Sequence, residues 1–366
     1  MSTEQIIGAL RAVKVPGLDG NLVEGRMIAG LNVSEGDDIC VALAHVGSAE
    51  QRQAIEGAVS SALRPLAGTG SIEVHFKREV AARPIGQDDP VPGARNIILV
   101  MSGKGGVGKS TVSTNLALAL SRMGNRVGLL DADLYGPSIP TMLGINSRPQ
   151  ANAKRIQPLT RFGLKLMSIG FLLDEPNAAV VWRGPMLHSA LMQFLGDVAW
   201  GDLDYLVLDL PPGTGDIALT LSQKLRCTGA IIVTTPQEVA LQDVYKSVSM
   251  AKKVGIEILG VVENESYFVC GKCDERHEIF GSGGGAKAAE AASAPLLGSI
   301  PLDPAVRGAG DSGVPIVQAM PASATAQAFV SVAESLLSQI DRAAGTGPQV
   351  SIDRSGGSNR HLPVTR

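Results

Sequence analysis

The chain has few aromatic side chains, little net charge and no long hydrophobic run. Phe, Trp and Tyr make up 4% of its 366 residues, which argues against the stacking platforms that bind single-stranded nucleic acid. The formal charge is −3, so no overall positive charge attracts DNA, RNA or an anionic membrane. No segment approaches the roughly 18 apolar residues that span a bilayer, and no secretory signal pattern begins the chain. We therefore expect a cytoplasmic protein without a nucleic-acid or membrane partner.

Cysteine is also scarce. Four cysteines in 366 residues are too few for a disulfide framework. Cys40 lies in the alternating run ICVAL and Cys227 precedes an apolar run, so both are predicted to be small core side chains. Cys270 and Cys273 form a CxxC pair, a spacing that in a reducing compartment points to a metal or redox site.

Two folded regions are expected from the hydrophobic periodicity. Residues 1–78 alternate helical and strand patterns and predict a small α+β domain. Residues 79–95 are rich in proline and charge and predict an exposed linker. The main domain is expected over residues 96–343, and the polar residues 344–366 predict a disordered tail.

The main region alternates short apolar runs with longer helical patterns. Examples are NIILVMSG, followed by KSTVSTNLALALSRMG, and YLVLDL. Uninterrupted apolar strands separated by helices indicate a doubly wound α/β fold, with a mostly parallel sheet covered on both faces. Ligands of such folds bind at the carboxyl ends of the strands.

A phosphate-binding loop lies between the first apolar strand of this region and the following helix. It matches GxxxxGK[ST] and consists of Gly103, Lys104, Gly105, Gly106, Val107, Gly108, Lys109, Ser110 and Thr111. The glycines allow backbone N–H groups to converge on phosphates, and the helix adds the positive end of its dipole. Lys109 is expected to neutralise phosphate charge and Ser110 to ligate Mg²⁺. The chain is therefore predicted to bind a nucleoside triphosphate with magnesium and to hydrolyse it.

Carboxylates end two further apolar runs. LLDAD ends in Asp131 and Asp133, and LVLDLPPG contains Asp209. In a doubly wound sheet these strand ends lie beside the phosphate loop, so the carboxylates are candidates for the magnesium shell.

The lysine at position 104 carries a first family resemblance. KGGVGKS resembles the deviant P-loop ATPases, which include nitrogenase iron protein, arsenite-pump ATPases and the Min and Par positioning ATPases. The resemblance implies that Lys104 reaches the nucleotide of a homodimer partner, as an arginine finger does. It also implies that Asp133 positions the attacking water, that Asp209 holds Mg²⁺ through water, and that Asp131 supports the same shell.

Base recognition is assigned by the same resemblance. Asn264, after the run ILGVVE, and the loop containing Pro301 and Asp303 resemble the adenine-holding positions of these ATPases. Because no guanine-specific NKxD sequence follows that run, ATP is favoured over GTP.

The cysteine pair leaves three readings open. Two thiolates cannot complete a four-thiolate shell, so two chains related by a dyad could together hold one [4Fe-4S] cluster. Alternatively, Cys270, Cys273 and His277 could hold zinc. A thiol–disulfide or purely structural pair is the third reading.

Five motifs together carry a closer resemblance: SGKGGVGKST, DADLYGPSIP, DLPPGTGD, TTPQEVAL and VVENESYFVCGKC. Over residues 94–340 they resemble the Mrp/ApbC family of iron–sulfur cluster carriers. The resemblance implies a homodimeric ATPase that holds a labile [4Fe-4S] cluster between subunits and passes it to apoproteins.

The chain departs from that family at two positions. The N-terminal region resembles the small assembly domain often fused to such ATPases, but Ser48 stands where that domain commonly has a cysteine, so a docking role is expected for it. Glu265 stands where the family more often has methionine.

Two other functions remain as alternatives. A Min/Par-like positioning ATPase requires an amphipathic C-terminal helix or a basic surface, and the tail RHLPVTR has neither feature. A zinc-stapled nucleotide-binding scaffold leaves Lys109, Ser110 and Asp209 without a catalytic role.

Overall fold

The computed structural model describes most of the chain. The described residues are 3–14, 20–25, 27–33, 38–44, 49–68, 70–77, 80–133, 136–152, 155–172, 184–213 and 216–344. The predicted disordered tail lies outside these residues, apart from its first position.

The N-terminal unit is a small sheet with helices on one face. Its elements are α1 (Thr3–Leu10), β1 (Ile28–Val33), β2 (Ile39–Ala44), α2 (Ala49–Ala67) and β3 (Ile72–Lys77). The strands lie in the order β1-β2-β3, with β1 antiparallel and β3 parallel to β2. Because side chains alternate along a strand, Ile39, Val41 and Leu43 pack against the helices, and Cys40 lies on the other face.

The larger unit contains the remaining elements. Its strands are β4 (Ala94–Ser102), β5 (Val127–Asp131), β6 (Ala151–Asn152), β7 (Arg155–Ile156), β8 (Leu159–Arg161), β9 (Leu164–Ser168), β10 (Leu203–Asp209), β11 (Gly229–Thr234), β12 (Ile258–Glu263), β13 (Phe268–Val269), β14 (Arg276–His277) and β15 (Leu296–Ser299). Its helices are α3 (Lys109–Arg122), α4 (Ile139–Met142), a 3-10 turn (Ile169–Leu172), α5 (Gly184–Gly196), α6 (Asp216–Lys224), α7 (Glu238–Lys253), α8 (Gly284–Ala292), α9 (Pro304–Asp311), α10 (Ile316–Ala319) and α11 (Ala324–Ala343).

Within the described residues, the central sheet has eight strands in the order β15-β12-β11-β4-β10-β5-β9-β8. Its strand pairs are parallel except for β8 with β9. Ile98 and Val100 face the layer containing α3 and α11, whereas Ile97 and Leu99 face the layer containing α5 and α6. The predicted doubly wound P-loop fold, preceded by a small α+β unit, is confirmed.

Residues 80–93 connect the two units without helix or strand. Arg83 is 5% exposed and forms a two-pronged ion pair with Asp89. Its guanidinium also donates to the carbonyls of Val91 (2.8 Å), Ala94 (3.1 Å) and Arg226 (3.1 Å). This segment is therefore anchored to the beginning of β4. Among the described helices, none is long and apolar enough to cross a bilayer.

The small unit docks at the end of α3 that is remote from the phosphate loop. The guanidinium of Arg122, the last residue of α3, donates to Glu73 at 2.9 Å. Gly124 has a φ of +84°, and a Cβ there would lie 2.0 Å from the Cβ of Ala42. This close approach explains why glycine follows the helix.

Candidate functional site

Strand register brings the acidic residues together. On neighbouring parallel strands, Asp209 at the end of β10 pairs with Asp131 at the end of β5 and with Val100 of β4. The carboxyl ends of these strands meet at one edge of the sheet, directly before the phosphate loop. The edge therefore carries acidic groups next to a loop that is built to bind phosphate.

The phosphate loop needs its glycines. Gly106 and Gly108 have φ values of +83° and +78°, a left-handed backbone that side chains rarely adopt. A Cβ on Gly103 would lie 2.3 Å from the carbonyl carbon of Asp243 in α7, and one on Gly108 would lie 2.1 Å from the Asn264 amide nitrogen. α3 begins at Lys109, so its N-terminal N–H groups point into the loop.

Lys109 lies at the centre of a buried polar cluster. Its Nζ is 2.8 Å from Asp209 and 3.2 Å from Asp133. Ser110 donates to one oxygen of Asp209 at 2.5 Å and Ser113 donates to the other at 2.7 Å. Thus the structure brings together the lysine, the serine and two of the three carboxylates that the sequence singles out. The sequence interpretation missed Ser113, although it lies one helical turn after Ser110.

Asp131 lies beneath this cluster and is fully buried. Its oxygens accept hydrogen bonds from Ser168 Oγ (3.0 Å) and from the backbone N–H groups of Asp133 (3.2 Å) and Ile139 (3.4 Å). Burial, together with the neighbouring charge of Asp209, raises the pKa of Asp131 above its ordinary value. These contacts fix the start of the loop that carries Asp133.

A cavity of about 230 Å³ adjoins the phosphate loop. Five of the predicted nucleotide-binding positions line it, namely Gly108, Thr111, Asn264, Pro301 and Asp303. Both oxygens of Asp303 accept hydrogen bonds, one from the Ala305 N–H at the start of α9 and one from Thr325. Asp303 therefore shapes the wall of the cavity. Glu265 also lines it; this residue lies within the motif VVENESYFVCGKC but was not predicted as a site residue.

Lys104 follows the first glycine of the loop. It is partly exposed, and its carbonyl accepts a hydrogen bond from Ser102 Oγ at 3.0 Å. Over the residues for which the structure gives contacts, its ammonium forms no ion pair. The cation therefore stays at the surface, separate from the cluster around Lys109.

The cysteine pair lies at the tip of a hairpin formed by β13 and β14. The Cys270 N–H donates to the Glu275 carbonyl at 3.0 Å, and Asp274, with a φ of +56°, donates from its N–H to the Cys270 carbonyl at 2.9 Å. Cys270 is half-buried and Cys273 is exposed. Backbone N–H groups of Lys272 and Cys273 hold the pKa of the Cys270 thiol below its usual value. The turn therefore favours a thiolate, the form that binds iron or zinc.

The hairpin is joined directly to the nucleotide-side cavity. Asn264 Nδ2 donates to the Val107 carbonyl of the phosphate loop at 3.0 Å. Two residues later, the Ser266 N–H donates to the Ile300 carbonyl, and the Leu302 N–H donates to the Tyr267 carbonyl at 2.7 Å. Consequently one short segment contacts the phosphate loop, the cavity wall and the base of the cysteine hairpin.

His277 does not complete a metal site with the two cysteines. It lies opposite Phe268 in the hairpin, with the two ring centroids 6.4 Å apart. In the described part of the chain, the one trio of His, Cys, Asp or Glu donor atoms within 4.8 Å of one another is Cys40, Glu73 and His75. The zinc reading with His277 as third ligand is therefore not supported by one chain, whereas Cys40 has polar neighbours that the core assignment did not anticipate.

The residues present fit a nucleotide with magnesium. Glycines with left-handed backbone, a lysine and serine at the helix start and a nearby buried carboxylate are the donor set that such a ligand uses. The hairpin fits a metal cargo only in part, because it offers two thiols and, among the residues that the structure describes, no third donor within reach.

Comparison with known proteins gives the family. Residues 93–337 match the model described as NUBPL iron-transfer P-loop NTPase, and residues 3–76 match the model described as iron–sulfur cluster assembly protein. The chain is 47% identical over 307 residues to the iron–sulfur cluster carrier protein of Aquifex aeolicus, covering 78% of this chain and 84% of that protein. It is 42% identical over 353 residues to the Synechocystis protein of the same name, covering 94% and 99%.

One solved structure is similar to this chain in both sequence and fold. The nucleotide-binding protein of Archaeoglobus fulgidus, determined in complex with ADP, is 42% identical and superposes with a TM-score of 0.54, covering 60% of this chain and 87% of that one. The predicted resemblance is confirmed: this chain belongs to the NUBPL-type iron-transfer P-loop NTPases, the family of the iron–sulfur cluster carrier proteins.

Proposed function

We propose that this protein is an ATP-hydrolysing homodimer that assembles a [4Fe-4S] cluster between its subunits and transfers it to apoproteins. The observation that best supports this proposal is the segment that begins at Asn264 and ends in the cysteine hairpin. This segment contacts both the phosphate loop and the loop after β15. The names of the relatives and the ADP in the Archaeoglobus structure support cluster transfer and nucleotide binding respectively.

Nucleotide binding rests on the loop and on Lys109. The backbone N–H groups from Gly103 to Gly108 and the start of α3 hold the phosphates. Lys109, held between Asp133 and Asp209, turns its charge to the phosphates. Ser110 and Asp209, already joined by a hydrogen bond, are the groups that would hold Mg²⁺, which neutralises phosphate charge when bound.

Hydrolysis needs an oriented water and a further cation. Asp133 lies 3.2 Å from Lys109 Nζ at the start of the loop that Asp131 fixes, and it is the acceptor that orients the attacking water. Lys104 supplies its positive charge to the nucleotide of the partner subunit, the role of an arginine finger. Asn264 and the loop containing Pro301 and Asp303 hold the adenine.

The cluster site is shared by two chains. Cys270 and Cys273 supply two thiolates from each subunit, and a dyad through the hairpins completes a four-thiolate shell. Since the hairpin tip is exposed in one chain, the cluster stays accessible to a recipient protein when the two subunits separate. We propose that the ATP cycle controls whether the cluster is held or released. Asn264, Ser266 and Tyr267 connect the nucleotide site to the hairpin.

Reconstitution tests the cluster. Anaerobic incubation with iron and sulfide should give about two iron and two sulfide per chain, the content of one [4Fe-4S] cluster per dimer. The particle mass should be that of a dimer. The Cys270→Ser/Cys273→Ser variant should retain neither iron nor sulfide. The Cys227→Ala variant should bind as much iron and sulfide as the natural chain does. Iron retained by the double variant, or zinc in its place, would contradict the proposed ligands.

Coupling is tested with Asn264→Ala. The side chain removed is the one that contacts the phosphate loop. At an ATP concentration that saturates the variant, as verified by calorimetry, ATP should therefore no longer change the rate at which a chelator extracts iron, although cluster content stays normal. The control is Glu290→Gln, on the exposed face of α8. If ATP alters iron extraction equally in the Asn264 variant, the proposed route is wrong.

A further inference from the structure

The sheet of the N-terminal unit carries a polar group on the face away from its helices. Parallel pairing places Cys40 of β2 beside Glu73 of β3, and His75 follows on the same face. Their donor atoms lie within 4.8 Å of one another. Cys40 is 2% exposed, and the side chains of Glu73 and His75 are about one quarter exposed.

The end of α3 covers this trio from the other unit. The Cys40 thiol donates to the Arg122 carbonyl at 2.8 Å, and the Arg122 guanidinium donates to Glu73 at 2.9 Å. The trio therefore lies in the contact between the two units, near the end of α3 opposite the phosphate loop. Nothing in the nucleotide or cysteine-hairpin chemistry uses it.

We propose that Cys40, Glu73 and His75 form a binding site for one divalent transition-metal ion of the Zn²⁺ or Fe²⁺ class. Thiolate, imidazole and carboxylate are the donors that these ions take, and three protein ligands leave a fourth position for solvent. Metal–ligand distances are about 2.0–2.3 Å, so three donors no more than 4.8 Å apart reach one ion after side-chain shifts of under about 1 Å.

Charge and access agree with this site. The Cys40 thiol gives up its proton on binding, so two anionic ligands offset the charge of the ion. Arg122 donates a hydrogen bond to Glu73 and would orient this carboxylate without contacting the ion itself. His75 lines a cavity of about 490 Å³ and Cys40 lines another of about 330 Å³. A bound ion would tie the small unit to α3.

Cobalt is a suitable probe because thiolate-bound Co²⁺ absorbs in the near ultraviolet. The test uses the full chain with Cys270→Ser and Cys273→Ser, so that the hairpin contributes no thiolate. Anaerobic titration should give one Co²⁺ per chain with a thiolate–cobalt band, and Zn²⁺ should displace it.

Variants of the trio decide the outcome. In the same background, His75→Gln and Glu73→Gln should each weaken Co²⁺ binding by at least about 10- to 100-fold, the loss seen even for outer-shell changes. His188→Gln, in α5 and outside the trio, should leave binding unchanged. Cys40→Ser should abolish the thiolate–cobalt band, and circular dichroism should verify the fold of each variant. No band in the parent, or a band that survives Cys40→Ser or is indifferent to His75→Gln and Glu73→Gln, would overturn the proposal.

Discussion

The nucleotide end of the central sheet buries its charged groups, whereas the cysteine hairpin leaves its reactive groups at the surface. At the first, Lys109 and Asp209 are 6% and 0% exposed and are held by each other and by Ser110. At the second, Cys270 is half-buried and Cys273 is exposed, and backbone hydrogen bonds shape the turn. In the proposed dimer, the first site takes only Lys104 from the partner subunit, whereas the second takes half of its thiolates from it.

The two sites differ in burial because they bind different kinds of ligand. Buried charges must be paired because desolvation is costly, so a site that binds phosphate and Mg²⁺ must be assembled with the fold. A site that receives and gives away a cluster must remain open to a second protein. Four experiments compare the two ends, beginning with the largest expected effect.

Replacing Lys109 should damage both binding and stability. In Lys109→Met, the phosphates lose their cation, so nucleotide binding, measured by calorimetry, should fall below detection. Two buried carboxylates also lose their partner, which should lower the free energy of unfolding of the nucleotide-free protein by about 3–5 kcal/mol in urea titrations. Adding Asp209→Asn should recover part of that loss. Equal stability of the single and double variants would show that the pair does not couple.

Replacing Lys104 should separate binding from hydrolysis. The Lys104→Ala chain keeps Lys109 and the loop, so ATP affinity should stay within about twofold. Loss of a cation supplied to the partner's nucleotide should lower the hydrolysis rate by about 10³-fold, as measured by phosphate release. Lys224→Ala, in the last turn of α6, is the control. Unchanged turnover in Lys104→Ala would remove the lysine from the reaction.

Thiol reactivity should distinguish Cys270 of the hairpin from Cys227, although both residues are half-buried. Burial raises the pKa of Cys227 to about 12, whereas the turn lowers that of Cys270 below 9.0. Since the thiolate reacts, iodoacetamide at pH 8 should modify Cys270 of the cluster-free protein about 10- to 100-fold faster than Cys227. Raising the pH from 7 should increase the Cys270 rate until the pH passes its lowered pKa. Peptide mass spectrometry gives both rates, and similar rates would contradict the opposite directions of the two pKa shifts.

Removing the hairpin thiols should have the smallest effect on stability. Because both thiols lie at the surface of one chain, the free energy of unfolding of the cluster-free Cys270→Ser/Cys273→Ser protein should change by less than about 0.5 kcal/mol. The measurement is a urea titration beside Lys109→Met. A loss comparable to that of the lysine variant would mean that the cysteines are part of the fold.

Local motifs were well predicted. The phosphate loop, the apolar strands that end at Asp131 and Asp209, and the CxxC pair each lie within a short stretch of sequence, where spacing alone indicates the geometry. The parallel sheet then follows because strands that alternate with helices must run in the same direction. Contacts between distant stretches were not predicted. Ser113 at Asp209 carries no motif of its own, and nothing in VVENESYFVCGKC marks Glu265 as a residue that lines the cavity.

Cys40 shows most clearly which contacts could not be predicted from the sequence. Alternation along ICVAL correctly places it in the interior, but the same alternation cannot say what lies on its side of the sheet. Only the parallel pairing of β2 with β3 puts Glu73 and His75 beside it. Only the docking of the small unit adds Arg122.

By itself, the sequence determined which chemical groups this protein has for phosphate, magnesium and iron, because each set is encoded in a few consecutive residues with their own backbone preferences. The tertiary structure alone decided which residues from distant parts of the chain contact one another. Asn264 reaches Val107 across 157 positions of the chain, and Cys40 reaches Arg122 across 82. Such pairings depend on how whole layers pack, and no local period of the sequence specifies that packing.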